Sequence, residues 1–424
     1  MVHAIVGANW GDEGKGKITD MFAQDADVVA RFQGGANAGH TIITDKGKVV
    51  LHILPSGSCY EKTENLVGNG VALDVHKFQK EIKTVRAAGF NPKVLVSNRA
   101  QILMPYHVDF DKWEEERLGA RSYGSTKSGI APFYSDKYAK IGITVDSLYY
   151  RDFLRDRVSG ILDLKNQIAQ AVYHKEPYDL DRIMDELAEY AEIMKPYVCD
   201  SVRFMQDAVR DGKNILLEGQ LGSLRDPDFG IYPMSTSSNT ISGYGAVGAS
   251  VPSSAITRVT AVVKAYSSAV GAGPFVSEIF GDEASELRER GGDKGEYGAT
   301  TGRPRRMGWF DCVASRYGCL VQGAMDVAFT VVDALGYLDE IPVCVGYEYK
   351  GEALRDFPTY PVLLEAKPVL KVFPGWKCDI RGIREYDKLP QECRDYIEFI
   401  EKEIEVPIKI VCNGPKREDV IFRG

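Results

Sequence analysis

Short runs of apolar, often β-branched residues recur along the chain: Val2–Val6, Val28–Phe32, Val49–Ile53, Asn65–Val67, Lys93–Val96, Ile215–Leu217, Ile256–Val263, Val327–Val332, Ile341–Val345 and Ile408–Val411. Their length predicts strands, and runs without polar alternation predict strands buried on both faces. Between them lie stretches with apolar residues at helical spacing, notably Asp74–Ala88 and Asp311–Gln322. Asp181–Asp211 repeats that spacing long enough for one or two helices. The alternation predicts an α/β fold: a large, mainly parallel central sheet covered by helices. No linker rich in Pro, Ser or Gly divides the chain. It is therefore expected to form a single domain, 1–424, carrying an inserted, mostly helical region at about 100–212, with further loop subregions.

Composition narrows the class. The 424 residues are 44% hydrophobic, enough for a large core, and the net charge is −8 with acids and bases interspersed. That balance argues against a nucleic-acid partner and leaves small anionic ligands open, because a local basic loop overrides net charge. The eight cysteines, Cys59, Cys199, Cys312, Cys319, Cys344, Cys378, Cys393 and Cys412, are scattered without a CxxC pair. They predict reduced thiols in a cytoplasmic protein. No apolar run nears the roughly 20 residues of a membrane span, and the N-terminus lacks the layout of a signal peptide.

The chemistry gathers in loops that follow predicted strands. "GANWGDEGKGK" runs from Gly7 to Lys17, between the first strand and a helix expected to begin near Gly16. Gly11 to Lys17 fits G-x-x-x-x-G-K, a P-loop-like pattern in which glycines let backbone N–H groups face phosphate oxygens at a helix N-terminus. Ile18 stands where a P-loop carries the Ser or Thr that holds magnesium. Two acids, Asp12 and Glu13, lie inside the loop. A carboxylate there offers a substitute metal ligand, or a base toward a substrate beside the phosphates, and Asp12, next to Gly11, is the better placed. A second loop, "RFQGGANAGHT" (Arg31–Thr41), sets His40 and Asn37 at a strand end, where open α/β sheets hold ligands. An imidazolium there suits charge on a transferring phosphoryl group. A third, "GEYGATTGRPRRMGW" (Gly295–Trp309), combines threonines with three arginines, whose forks bind carboxylate or phosphate. The hydroxyl-rich "SYGSTKSGIAP" (Ser122–Pro132) and "YPMSTSSNT" (Tyr232–Thr240) suit phosphate or sugar contacts. The plain alternative for each is a solvated polar turn.

Taken in order, these motifs resemble the adenylosuccinate synthetase family. "GANWGDEGKGK", "QGGANAGHT", "LHILPSG", "GNGVALD", "GIYPMSTSSNT", "KAYSSAVGAGPF", "GATTGRPRRMGWFD" and "VPIKIVCNGPKRED" extend the likeness over essentially the whole chain. The resemblance implies a Mg2+-dependent ligase that condenses IMP with L-aspartate at the expense of GTP, through a 6-phosphoryl intermediate. It implies Asp12 as base and His40 as acid, with Asp12 and the Gly39 carbonyl on the metal. Glu13, Gly14, Lys15, Gly16, Lys17, Gly39, Thr41, Arg305, Asp333, Asn413 and Gly414 would bind GTP. Asp12, Asn37, Thr126, Lys140, Leu221, Thr236 and Arg303 would bind IMP. Ala299, Thr300, Thr301, Arg303 and Arg305 would capture L-aspartate. It also implies a homodimer in which Lys140 reaches the partner's site. The chain departs from the usual family pattern at several positions: Lys140 replaces an arginine, "GSTKSGIAP" stands for "GTTGRGIGP", "EGQLG" for "EGAQG", and "TVVD" for "TKLD", while Ala269 stands where an arginine usually precedes "VGAGPF". Leu221 and Val331 in particular bear on which purine and which donor nucleotide fit. They leave open a sister ligase that adds aspartate to GMP or dGMP, with ATP as a possible donor.

Overall fold

The computed structural model describes residues 1–44, 47–292, 295–298 and 302–423. Ten strands make one sheet: β1 (Val2–Gly7), β2 (Val28–Arg31), β3 (Glu64–Val67), β4 (Lys93–Ser97), β5 (Val198–Cys199), β6 (Ile215–Glu218), β7 (Ile256–Lys264), β8 (Asp326–Thr330), β9 (Ile408–Cys412) and β10 (Val420–Phe422). Their spatial order is β10-β9-β8-β7-β1-β6-β2-β3-β4-β5. Every neighbouring pair is parallel except β9 and β10.

The continuous apolar runs follow from this topology. Successive side chains of a strand point to opposite faces, and here both faces are covered. On one face Val2, Ala4 and Val6 pack with Val28, Ala30 and Leu217 under Met205 and Ala208 of the helix Ser201–Arg210. On the other, Ile5, Val29 and Leu216 pack with Ile18 and Ala23 of the helix Lys15–Ala23. Ile18 thus fills a core position, which accounts for the missing hydroxyl of the P-loop pattern.

Helix starts follow local chemistry. Asp74, Asp179, Asp200 and Asp311 each accept a backbone N–H of the helix they precede, a cap worth about 1 kcal/mol. Helices Pro105–Leu118, Ile130–Tyr138, Arg151–Ala171, Leu180–Met194 and Ser201–Arg210 all fall between β4 and β6, with the short β5 among them. Many of them share a core with the helix Val75–Ala87, in which Phe78 and Ile82 meet Tyr106, Leu154, Ile161 and Leu187.

Three predicted strands differ in detail. The run Val49–Ile53 contributes to Gly47–Leu51, half of a two-stranded hairpin with His40–Thr44 rather than part of the central sheet. Ile341–Val345 lies within Glu340–Tyr349, which pairs with Phe310–Asp311, Glu352–Leu354 and Lys367–Pro374 in a separate sheet. Val327–Val332 overruns, because Val331 takes φ 60° and turns the chain out of β8. That left-handed conformation is rare for a β-branched residue, and it brings Asp333 to the edge of the cleft described next.

Candidate active site

A cleft of about 1620 Å³ opens beyond the carboxyl ends of the central strands. It is larger than the roughly 300–1,000 Å³ that suits one small ligand. Its lining comes from the segments that follow β1, β2, β6, β7, β8 and β9, together with the inserted helical region. That is where ligands bind in open parallel sheets.

The loop after β1 explains its two acids separately. Gly11 and Gly14 have φ of 110° and 86°, values a side chain disfavours, and they turn the loop toward the helix Lys15–Ala23. Glu13 points inward: its carboxylate accepts from the N–H of Asn9 at 2.9 Å and of Gly11 at 2.8 Å, and pairs with Lys15 Nζ at 2.6 Å. Glu13 is thus the clamp of the loop and does not line the cleft. Asp12 does line it, and its carboxylate meets Arg305 Nη2 at 3.0 Å. No side chain caps Gly14, so the first amides of the helix remain available to an anion. Lys17 Nζ donates to the carbonyls of Gly414 and Asp419 at 2.7 and 2.8 Å and fixes the loop after β9.

His40 lines the cleft, and its hydrogen-bond partner comes from β6 rather than from its own loop. Nδ1 hydrogen-bonds Glu218, whose other contacts are the N–H of Ser56 at 2.7 Å and its hydroxyl at 3.0 Å. Glu218 is fully buried. Burial alone would raise its pKa, yet His40, Arg31 and the Ser56 amide hold the carboxyl below the ordinary range. Burial lowers the pKa of His40, with Glu218 pulling the other way. A carboxylate on Nδ1 fixes that nitrogen as the donor and leaves Nε2 for a ligand. The neighbouring Gly34–Ala38 loop is pegged by Gln220, which bonds Arg31, Gly35, Asn37 and Ala38.

A second charged group lies on the Asp12 side. Lys264, at the end of β7, donates to Glu296 at 2.7 Å; Tyr266 and Arg305 also bond Glu296. Arg225 lines the cleft with its guanidinium held by the carbonyls of Met234, Val270 and Ala272. Burial brings its pKa down to about 10. Asp333 lines the cleft beside Val331 and Gly414, its pKa raised by burial.

The structure therefore gathers Asp12, Gly14, Lys15, Gly16, Lys17, Asn37, Gly39, His40, Thr41, Thr126, Leu221, Thr236, Arg305, Asp333 and Gly414 around one cleft. Asn413 is not among the lining residues: its amide turns inward onto the carbonyls of Ile380 and Ile383 at 2.6 and 2.8 Å. Arg303 is exposed, bonding the Gly124 carbonyl at 3.2 Å. Lys140 is exposed beyond the helix Ile130–Tyr138 and does not line this chain's cleft. Ala299, Thr300 and Thr301 lie outside the described residues. Sequence reasoning missed Glu218, Arg225, Lys264 and Glu296. The signal for two of them is a charge closing a buried apolar run, "ILLE" and "TAVVK", since a charge at the carboxyl end of a central strand faces the ligand region.

Comparison with known proteins agrees over nearly the full length. A family model described as adenylosuccinate synthetase matches residues 4–421. The chain is 42% identical to the adenylosuccinate synthetase of Salinibacter ruber, covering 99% of this chain and 98% of that protein. It is 41% identical to that of Caldicellulosiruptor bescii, covering 100% and 99%. The fold superposes on the fully ligated adenylosuccinate synthetase of Plasmodium falciparum with a TM-score of 0.92 at 35% identity, covering all of both chains. A cyanophage S-2L succinoaminodeoxyadenylate synthetase, solved with dGMP and dATP, shares the fold at a TM-score of 0.62 and 18% identity over 99% of this chain and 95% of that one.

Proposed function

The chain belongs to the adenylosuccinate synthetase family, and on that premise we propose that its cleft joins L-aspartate to IMP at the expense of GTP, giving adenylosuccinate, GDP and phosphate. The observation that carries this reading is the convergence of Asp12, His40 and Arg305 on one cleft with an uncapped helix N-terminus.

The chemistry follows from those groups. The 6-oxo group of a purine leaves poorly, so it is first phosphorylated. Asp12 accepts the N1 proton, and the electron pair moves through the ring to the 6-oxygen, which attacks the γ-phosphorus while GDP departs. His40 donates through Nδ1–H to Glu218, and in its protonated, imidazolium form it would offer Nε2–H to the 6-oxygen. The amino group of L-aspartate then attacks C6, phosphate leaves with the former 6-oxygen, and the surplus proton of the amine goes to the departing phosphate. Arg305, with Arg303 and the segment 299–301, holds the aspartate carboxylates. Gly14, Lys15, Gly16, Lys17, Thr41 and Gly414 embrace the GTP phosphates and Asp333 reads the guanine. Glu13 acts there as the clamp of the loop, and Asn413 through the backbone it supports. Asn37, Thr126, Leu221 and Thr236 surround IMP. Holding three reactants in one orientation supplies up to about 7–11 kcal/mol of such a barrier.

The donor set suits Mg2+. Asp12 and Gly39 both line the cleft, and among the described residues no group of three His, Cys, Asp or Glu is placed to hold a metal alone. Magnesium takes one or two carboxylates plus substrate phosphates, so Asp12 and the Gly39 carbonyl would hold it, and bound there it neutralises phosphate charge. We further read the protein as a single-domain cytoplasmic homodimer in which the exposed Lys140 serves the partner's cleft. All eight cysteines are free thiols, and no helix among the described residues is long and apolar enough to cross a membrane.

The test is phosphate release measured with IMP and dGMP, each with GTP and ATP, with and without L-aspartate. Aspartate-dependent release fastest with IMP and GTP is expected. Faster turnover of dGMP would instead make Leu221 and Val331 marks of a sister ligase, and release indifferent to aspartate would exclude a ligase.

A further inference from the structure

Glu296 is a charged group buried among three donors. It is 1% exposed. Its carboxylate takes Lys264 Nζ at 2.7 Å, the Tyr266 hydroxyl and Arg305 Nη1. Lys264 in turn donates to Ser268 at 2.7 Å. Burial alone would raise the pKa of Glu296, but Lys264 and Arg305 hold it down to about 2. The second arm of Arg305 reaches Asp12 at 3.0 Å. An arginine side chain has several freely rotating bonds, and its fork is useful only when its plane is set. Here Arg305 approaches the cleft from an irregular loop, and a single buried carboxylate fixes one edge of its guanidinium. The backbone adds to the grip: Arg305 N–H donates to the Glu296 carbonyl at 2.9 Å.

We propose that Glu296 is the positioning residue for substrate carboxylate binding: it holds Arg305 by one edge, anchored through Lys264 to the end of β7, so that the other edge faces the cleft beside Asp12. The proposal rests on the reading of L-aspartate as substrate. At the wall of the cleft, the Glu296 carboxylate is taken up by Lys264, Tyr266 and Arg305. It acts through Arg305, and its removal frees the fork to rotate without removing the positive charge. A carboxylate bound equally in ground and transition states affects KM rather than kcat.

The test is steady-state kinetics of Glu296→Gln and Glu296→Asp, varying L-aspartate, IMP and GTP in turn, with thermal melting alongside. For Glu296→Gln the KM for L-aspartate is expected to rise about tenfold to a hundredfold. The KM for IMP should stay within about twofold and kcat within about fivefold, and any rise in the KM for GTP, to which Arg305 is also assigned, should be several-fold smaller than that for L-aspartate. Glu296→Asp keeps the charge and should recover part of the aspartate KM. Glu296→Gln leaves two buried cations with one fewer counter-charge, so the double variant E296Q/K264M, which keeps the local charge balance, provides the same reading if the single variant does not fold. An unchanged aspartate KM in the folded variants overturns the proposal. So does a parallel rise in all three KM values with a lowered melting point, which marks a merely structural role. If the unaltered protein shows no aspartate-dependent phosphate release, the parent reading has failed instead, and the two failures are distinct.

Discussion

The two sides of the cleft solve one problem in different ways. On the His40 side, a buried carboxylate, Glu218, is held by the sheet it terminates and by the N–H of Ser56. On the Asp12 side, the buried carboxylate Glu296 is held by long side chains, Lys264 and Arg305. Glu218 also pairs with His40 and lies near Arg31, but the strand it ends and the Ser56 amide give it an anchor that is not a charged side chain. A chain of ion pairs depends on every member, because removing one leaves its partner buried and uncompensated. The comparison teaches that the imidazole is set mainly by the fold, whereas the carboxylate-binding side is set by charge balance between a strand end and a loop.

The largest effect should come from Asp12→Asn, which keeps shape and removes the base. Turnover is expected to fall by about 10³-fold or more, against about 10²-fold for His40→Asn, with melting temperatures little changed. Equal losses would erase the distinction between base and hydrogen-bond donor. Next is Glu218→Gln, which should lower kcat about tenfold to a hundredfold and also lower the melting temperature. Its pH dependence sharpens the comparison. The folded pKa of Glu218 is depressed from the ordinary 4.5. The stability it contributes is therefore present above that value and lost as pH falls through the lower folded value. The difference in unfolding midpoint between the unaltered protein and Glu218→Gln should be constant near neutrality and shrink below about pH 4.5. A constant gap down to pH 3 would show that Glu218 works by packing alone. The smallest effect concerns neither charged side. Lys17→Met removes two hydrogen bonds to the loop after β9. It should raise the KM for the donor nucleotide about tenfold, equivalent to about 1.4 kcal/mol, and leave the aspartate KM unchanged.

Much of the site was legible in the chain because its loops are local objects. Gly11, Gly14 and the adjacent helix read as an anion-binding turn from their residue types, and the structure keeps that turn. The doubled acid in the same loop was legible only in half. Asp12 lines the cleft as expected, but Glu13 folds back on the amides of Asn9 and Gly11, and nothing in the order of two adjacent acids says which one turns inward. Val331 shows the same limit: a β-branched run reads as strand to its end at Val332, yet the strand stops two residues early, at Thr330, and a left-handed turn at Val331 presents Asp333.

By itself the sequence determined the alternation of strands and helices, the loops that follow strand ends and the order of the family motifs, since these depend on period, turn chemistry and neighbours along the chain. Only the tertiary structure decided that Glu218 belongs to His40, 178 residues earlier, and that Glu296 joins Lys264 to Arg305. The reason is that a buried charge takes whichever opposite charge the packed strands bring within a few ångströms, and that distance is unrelated to separation along the chain.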